Sequence, residues 1–168
     1  MRKVEVVAYD ETWPKLFDTE ADEIRHLLGN HCVSIHHIGS TAVQGLAAKP
    51  VIDMLAVVDE IETAERFAEE LQQLGYKAKG KNGLPGRRYF EKGGNERTHH
   101  LHCYENGSPE IFRHLAFRDF LREHPQQAAA YGDLKLSLAK QYPLDIGRYI
   151  DGKQAMIQRI EKQATGEI

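Results

Sequence analysis

Apolar residues along the first third of the chain recur in two rhythms. Val4 to Tyr9 is a short apolar-rich run that predicts an extended segment. Glu11-Thr12-Trp13-Pro14 then predicts a helix start, with Thr12 as N-cap and Pro14 in the first turn. Leu16, Phe17, Ala21, Ile24, Leu27 and Leu28 follow at helical spacing until Gly29-Asn30 ends the run. Trp13 reads as the core anchor of this helix. The rhythm changes at Val33 to Ile38, a strand leading into a turn at Gly39, and Ala42 to Ala48 predicts a short helical turn. Val51 to Val58 is the clearest strand, almost wholly apolar, and its period of two puts Val51, Asp53, Leu55 and Val57 on one face.

Beyond it, Glu62 to Leu74 predicts a helix closed by Gly75, and Lys77 to Gly86, with three lysines, three glycines and a proline, a mobile loop. Arg87 to Lys92 and Thr98 to Tyr104 predict two strands joined by a hairpin turn at Gly93-Gly94-Asn95-Glu96. On the second of these, His100, His102 and Tyr104 share one face, and Leu101 and Cys103 the other. The pattern turns helical after Ser108-Pro109, a cap followed by a first-turn proline. Helices are predicted up to Pro125, over about Gln126 to Gln141, and from about Asp145 to Lys162. The order is a mixed α+β core over about residues 1–106 followed by C-terminal helices over about 108–163, in one domain.

Composition alters this picture little. At 168 residues, 41% hydrophobic and 28% charged, the chain is long enough to bury a core without covalent staples. A formal charge of −3 argues against a dedicated nucleic-acid binder. Cys32 and Cys103 both lie in apolar runs without metal-type spacing, which predicts reduced thiols. No apolar run reaches membrane length and Met1-Arg2-Lys3 does not open a leader, so a cytoplasmic protein is expected.

The candidate chemistry begins at Gly39-Ser40-Thr41. Glycine admits close approach of the backbone, and turn amides beside hydroxyls suit an anion such as phosphate. If a helix starts at Ala42, its free amides and dipole reinforce that site. Asp53, flanked by Val51, Ile52, Met54 and Leu55, is a carboxylate inside an apolar strand and requires a cation, a metal or hydrogen-bond donors. The same residues also read as a hydroxyl turn and a capping aspartate with no ligand.

Gly39-Ser40-Thr41-Ala42-Val43, with Gly45-Leu46-Ala47-Ala48-Lys49-Pro50-Val51-Ile52-Asp53, resembles the signature of the GrpB family. The likeness continues through Gly86-Arg87-Arg88-Tyr89-Phe90, His100-Leu101-His102, the Phe117 to Arg122 helix and Tyr131, Leu134 and Lys135, and so covers nearly the whole chain. One departure is Gln44, where the family usually has a proline. That family is similar in fold to the nucleotidyltransferase superfamily, which implies a small mixed sheet with flanking helices and a C-terminal helical segment. In the superfamily a Gly-Ser turn holds the triphosphate, two carboxylates two residues apart bind Mg²⁺, and a third lies on a later strand.

By that resemblance Gly39, Ser40, Thr41, Lys49 and Arg88 form a phosphate site, and Asp53, His100 and His102 are the catalytic and metal-binding candidates. Leu55 stands where the second carboxylate belongs, and His100 and His102 replace the third. Two imidazoles and one carboxylate suit Zn²⁺ or Mn²⁺ better than Mg²⁺; a histidine acting as general base, or a structural Asp–His network, fits the same residues. Arg88, on an apolar strand, is the stronger phosphate candidate beside the solvated Lys77, Lys79 and Lys81. Arg118 and Lys135 recur at matching positions in the family pattern and are candidate substrate contacts; ion pairing with Asp119, Glu123 or Asp133 on the helix surfaces also fits them. The expected partner is a nucleotide or phosphorylated small molecule, with a link to dephospho-CoA kinase, to which related sequences are fused. Two readings result: a nucleotidyltransferase-like enzyme, or a non-catalytic nucleotide-binding module of the same fold.

Overall fold

The computed structural model describes residues 3–166. Five strands form one mixed sheet: β1 (Cys32–Ile38), β2 (Ile52–Val58), β3 (Tyr76–Ala78), β4 (Arg88–Lys92) and β5 (His99–Glu105). Their order is β1-β2-β5-β4-β3. Only β2 and β5 run parallel; the other pairs are antiparallel. The parallel pair sits centrally and is nearly continuous in apolar residues, as strands covered on both faces require.

One sheet face carries Ile35, Ile52, Met54, Ala56, Phe90, Leu101 and Cys103 and packs on α1 (Trp13–Leu28), α2 (Glu62–Arg66) and α3 (Ala68–Gln73). Trp13, Ala21, Ile24 and Leu28 of α1 are buried there, following the predicted period. The other face presents Ile38, Leu55, Val57 and Tyr104 to α4 (Pro109–Glu123). Helices α5 (Pro125–Gln141) and α6 (Ile146–Thr165) close that side, where Leu121, Ala128, Tyr131 and Ile160 pack on Val43 and Leu46. The fold is thus α+β, with a small mixed sheet, flanking helices and a helical C-terminal segment.

Local detail differs from the sequence pattern in four places. Thr12 does not cap α1; its backbone amide and hydroxyl both donate to the Asp10 carboxylate, which organises the helix entry. The short helix expected over Ala42–Ala48 is instead a single 3₁₀ turn at Ser40–Ala42, because Val43 is extended and Gly45 takes a positive φ of 83°. Ala48 then pairs with Val7 in an isolated antiparallel bridge. The helix expected over Glu62–Leu74 is interrupted at Phe67, whose ring packs on the core. Lys77 and Ala78, expected in a loop, belong to β3. Ser108 does cap α4, accepting from the Glu110 amide, and Asp145 caps α6, accepting from the Arg148 amide. No described helix is long and apolar enough to cross a membrane, and Cys32 and Cys103 are both free thiols.

Leu101 lies in the middle of β5 with no exposed surface. Leu101→Ala is expected to destabilise the fold by about 3 kcal/mol, the usual cost of a cavity at a closely packed leucine. Urea unfolding with an unchanged slope checks it.

Candidate functional site

The register of β2 and β5 generates the site. Asp53 lies beside His100 and Leu55 beside His102 in the parallel pair, so all four occupy the sheet face that looks toward α4–α6. On the other side of β2, Ile38 pairs with Asp53, and the chain turns immediately at Gly39. Gly39 has φ of 70°, and a Cβ built there would sit 2.9 Å from Asp53 Oδ2. Glycine therefore serves twice, by admitting the left-handed backbone and by leaving room for the carboxylate.

The Asp53 carboxylate accepts a hydrogen bond from His102 Nε2 at 2.8 Å. The neighbour of His102 Nδ1 is Arg87 Nη1 at 3.5 Å. Arginine can only donate, so Nδ1 is the acceptor and Nε2 carries the proton given to Asp53. Arg87 is itself buried and fixed by donating to the Lys81 and Asn82 carbonyls. Burial pushes the Asp53 pKa upward, but the charge and hydrogen bond of His102, with His100 and His114 nearby, outweigh it and hold the group down at about 2. Its side chain keeps 29% of its surface and faces the cavity. His100 is not drawn into this contact. Its Nε2 is buried without a partner, and desolvation lowers its pKa to about 4, so it is neutral at pH 7.

Above this floor is a cavity of about 320 Å³, lined among others by Gly39, Ser40, Lys49, Asp53, His100 and Lys135. Two tyrosines and three lysines dominate its roof. Lys135 of α5, 2% exposed, places Nζ 2.6 Å from Ser40 Oγ and 4.5 Å from the centre of the Tyr131 ring. Lys49 and Lys153 both lie over the Tyr149 ring, at 4.7 and 4.6 Å. Burial is the chief cause that lowers Lys135 to about 6, with Lys153 and Lys49 adding repulsion. Burial likewise lowers Lys153 to about 8, against the opposing pull of Asp53. Cations this poorly solvated favour a nearby anion.

Several sequence candidates lie elsewhere. Arg88 is directed to the opposite sheet face, in register with Cys103, and its Nε donates to Glu65 at 2.6 Å. Strand alternation puts its neighbour Arg87 on the site face instead. Arg118 donates to Asp119 and to the His37 carbonyl, clamping the end of β1. Thr41 lines the cavity, yet its hydroxyl is 2.8 Å from His37 Nε2, and His37 stacks on Phe17.

A divalent metal does not fit the side chains present. Among the described residues no group of three or more His, Cys, Asp and Glu side chains is arranged to hold a metal ion. Leu55 is fully buried in an apolar cluster, Asp53 is engaged by His102, and three lysines crowd the same cavity. These features oppose a cation and favour an anion.

Sequence reasoning did not reach Lys153, Tyr149 or His114. His114 lines the cavity with its ring 5.3 Å from that of His102. A signal for Lys153 did exist. Tyr131/Lys135 and Tyr149/Lys153 repeat one Tyr-to-Lys spacing of four on two helices, which puts each ammonium on the face of its own tyrosine.

Comparison with known proteins agrees with this architecture. Residues 3–163 match the family model described as GrpB protein, and the chain belongs to that family. It is 50% identical over 163 residues to the UPF0157 protein YqkA of Bacillus subtilis, covering 97% of this chain but 48% of that relative. The crystal structure of the conserved protein GrpB from Enterococcus faecalis superposes with a TM-score of 0.93 at 44% identity, over 97% of this chain and 98% of that one. Cid1, solved in complex with its short product ApU, superposes with a TM-score of 0.55 at 19% identity, over 79% of this chain and 42% of that one. This is a likeness of fold, and the fold is nucleotidyltransferase-like. A dephospho-CoA kinase of Mycolicibacterium paratuberculosis is 26% identical over 186 residues, 96% of this chain and 46% of that enzyme.

Two outcomes test the geometry. Gly39→Ala is expected to destabilise the fold by about 2 kcal/mol or more, through positive φ and the contact with Asp53, as read by chemical denaturation. Lys135→Met is expected to stabilise the protein at pH 7 by about 2 kcal/mol, after loss of the Ser40 contact offsets part of the relief. The folded pKa of Lys135, about 6, lies below the ordinary lysine value of 10.5, so the unfolded chain binds more protons between them. Wild-type stability from this group therefore rises with pH across that window. The advantage of Lys135→Met should shrink as pH rises toward 10, in melts at constant ionic strength.

Proposed function

We propose that this protein is a nucleotidyltransferase-like enzyme that binds the phosphates of a nucleotide, or of another phosphorylated small molecule, between the Gly39-Ser40 turn and the three cavity lysines. The observation that carries this reading is the convergence of Lys49, Lys135 and Lys153 on one cavity that also contains Ser40 and Asp53. Ammonium groups with depressed pKa values gain most from an anion, which restores their proton and neutralises their mutual repulsion. In metal-dependent relatives of this fold divalent ions neutralise phosphate charge; in this reading the cavity lysines supply that charge instead.

The chain's own residues divide the work in this reading. Lys49, Lys153 and the Gly39-Ser40 turn hold phosphate, while His102, oriented by Arg87, fixes the Asp53 carboxylate at the floor. The unpartnered Nε2 of His100 is a hydrogen-bond acceptor or donor for an acceptor substrate's hydroxyl. Coenzyme A precursors belong to the candidate ligand class because of the resemblance to a dephospho-CoA kinase. A second reading, a nucleotide-binding module without transfer, is favoured by Leu55, which removes a ligand on which the superfamily's chemistry depends.

Inorganic tripolyphosphate and nucleoside triphosphates are expected to raise the melting temperature without added Mg²⁺, Mn²⁺ or Zn²⁺. Lys153→Ala should weaken that binding by about tenfold or more, the worth of one charge-assisted contact. Bound phosphate raises the Lys153 pKa, so binding takes up protons, and affinity should fall as pH rises through 8 and beyond. Calorimetry in buffers of different ionisation heat checks the proton uptake. Metal-dependent release of pyrophosphate, lost in Asp53→Asn, would instead restore a metal mechanism. Binding without any turnover in the presence of diverse hydroxyl acceptors would select the module.

A further inference from the structure

Ser40 and Lys135 are arranged for more than holding a ligand. Ser40 Oγ lines the cavity, and Lys135 Nζ of α5 lies 2.6 Å from it, a short hydrogen bond, with the Tyr131 hydroxyl as a second partner of Ser40 on the same helix. The lysine is almost wholly removed from solvent, and the described residues place no carboxylate in a salt bridge with it. The other charged groups around the cavity are Lys49 from the loop before β2, Lys153, Arg113 and Glu161 from α6 and α4, and Asp53 from β2. Arg113 and Glu161 neutralise each other at 3.0 Å, and Asp53 is held by His102. The remaining neighbours of Lys135 are therefore cations and the Tyr131 and Tyr149 rings. This is the environment that keeps an amine unprotonated and makes it a base toward an adjacent hydroxyl.

We propose that Ser40 is a nucleophile activated by Lys135, and that group transfer runs through a covalent nucleotidyl-serine. The proposal rests on the reading of the cavity as a nucleoside triphosphate site. In the first half-reaction the Lys135 amine takes the Ser40 hydroxyl proton as Oγ bonds to the α-phosphorus. The bond from that phosphorus to the bridging oxygen breaks, and pyrophosphate leaves with the electron pair. Lys135, now an ammonium, stands beside the serine phosphodiester. In the second half an acceptor hydroxyl attacks the same phosphorus and yields its proton to His100 Nε2. The Ser40 oxygen leaves and recovers its proton from Lys135. No oxidant, reductant or metal enters the balance. The positive φ of Gly39 sets the neighbouring Ser40 on a tight turn at the cavity edge, where its Oγ is open to a ligand.

The pair reads differently from a phosphate clamp, because a clamp needs a protonated lysine whereas a base needs a free one. A fluorophosphonate probe tests it directly, since Oγ attack on its phosphorus expels fluoride irrespective of the natural acceptor. Intact-mass and peptide analysis are expected to find one label, on Ser40, and none in Ser40→Ala. Its rate should rise with pH to a plateau with a midpoint near 6, and fall by about 100-fold in Lys135→Met. Incubation with a nucleoside triphosphate should add one nucleotidyl mass to the same serine. An unlabelled Ser40, a rate indifferent to Lys135→Met, or a midpoint near the ordinary lysine value overturns the proposal. The wild-type pH profile decides the matter even if Lys135→Met does not fold. If tripolyphosphate still stabilises a protein whose Ser40 is inert, only the nucleophile falls. If Ser40 labels while tripolyphosphate neither stabilises nor protects it, the phosphate-site reading falls instead.

Discussion

The parallel pairing of β2 with β5 is the constraint on which everything else rests. These strands are separated in sequence by two helices, a loop and two antiparallel strands, yet their register puts Asp53 beside His100 and Leu55 beside His102. Strand alternation sorts the rest. Met54, Ala56, Leu101 and Cys103 enter the apolar layer against α1 to α3, while the polar residues between them face the C-terminal helices. A slip of one residue would bury Asp53 among aliphatic side chains and open a leucine to the cavity. The site is thus specified by the same hydrophobic burial that holds the sheet together.

Opposite that sheet face the protein carries a stability cost. Lys135 and Lys153 are removed from water over tyrosine rings, and among the described residues no carboxylate forms a salt bridge with Lys135. Cation–π contact recovers part of the lost hydration but not all of it. Poorly solvated cations in an otherwise well-packed domain are the pattern of a functional site, and their charge favours an anionic ligand. Asp53 fits the same logic: His102, oriented by buried Arg87, supplies the donor that an isolated carboxylate needs.

The fold was largely legible in advance because its signals are local. The period of α1, the apolar run of β2, the alternation in β5 and the Ser108-Pro109 helix start all survive in the structure within a residue or two. Errors arose where a neighbour outcompeted a local preference, as when Asp10 rather than Thr12 organised the entry to α1. The site was legible in part. Asp53 and His102 were found because a carboxylate in an apolar strand must have a donor, and Ser40 because a Gly-Ser turn is distinctive. Arg88 was preferred to Arg87 although alternation from Tyr89 and Glu91 allocates Arg87 to the site face. Lys153 was overlooked because one lysine on an amphipathic helix carries no signal until its helix is placed.

The sequence by itself determined the elements, the family and the two half-sites, because periodicity, turn chemistry and motif spacing act over short distances along the chain. Only the tertiary structure decided which cations meet Ser40 and Asp53, since that depends on how α5 and α6 pack across the sheet. Burial, and with it the protonation of Lys135, is a property of that packing and not of any stretch of residues. The same lysine on a solvated helix face would be an ordinary surface charge; 2.6 Å from Ser40 and almost fully buried, it is an amine with a depressed pKa.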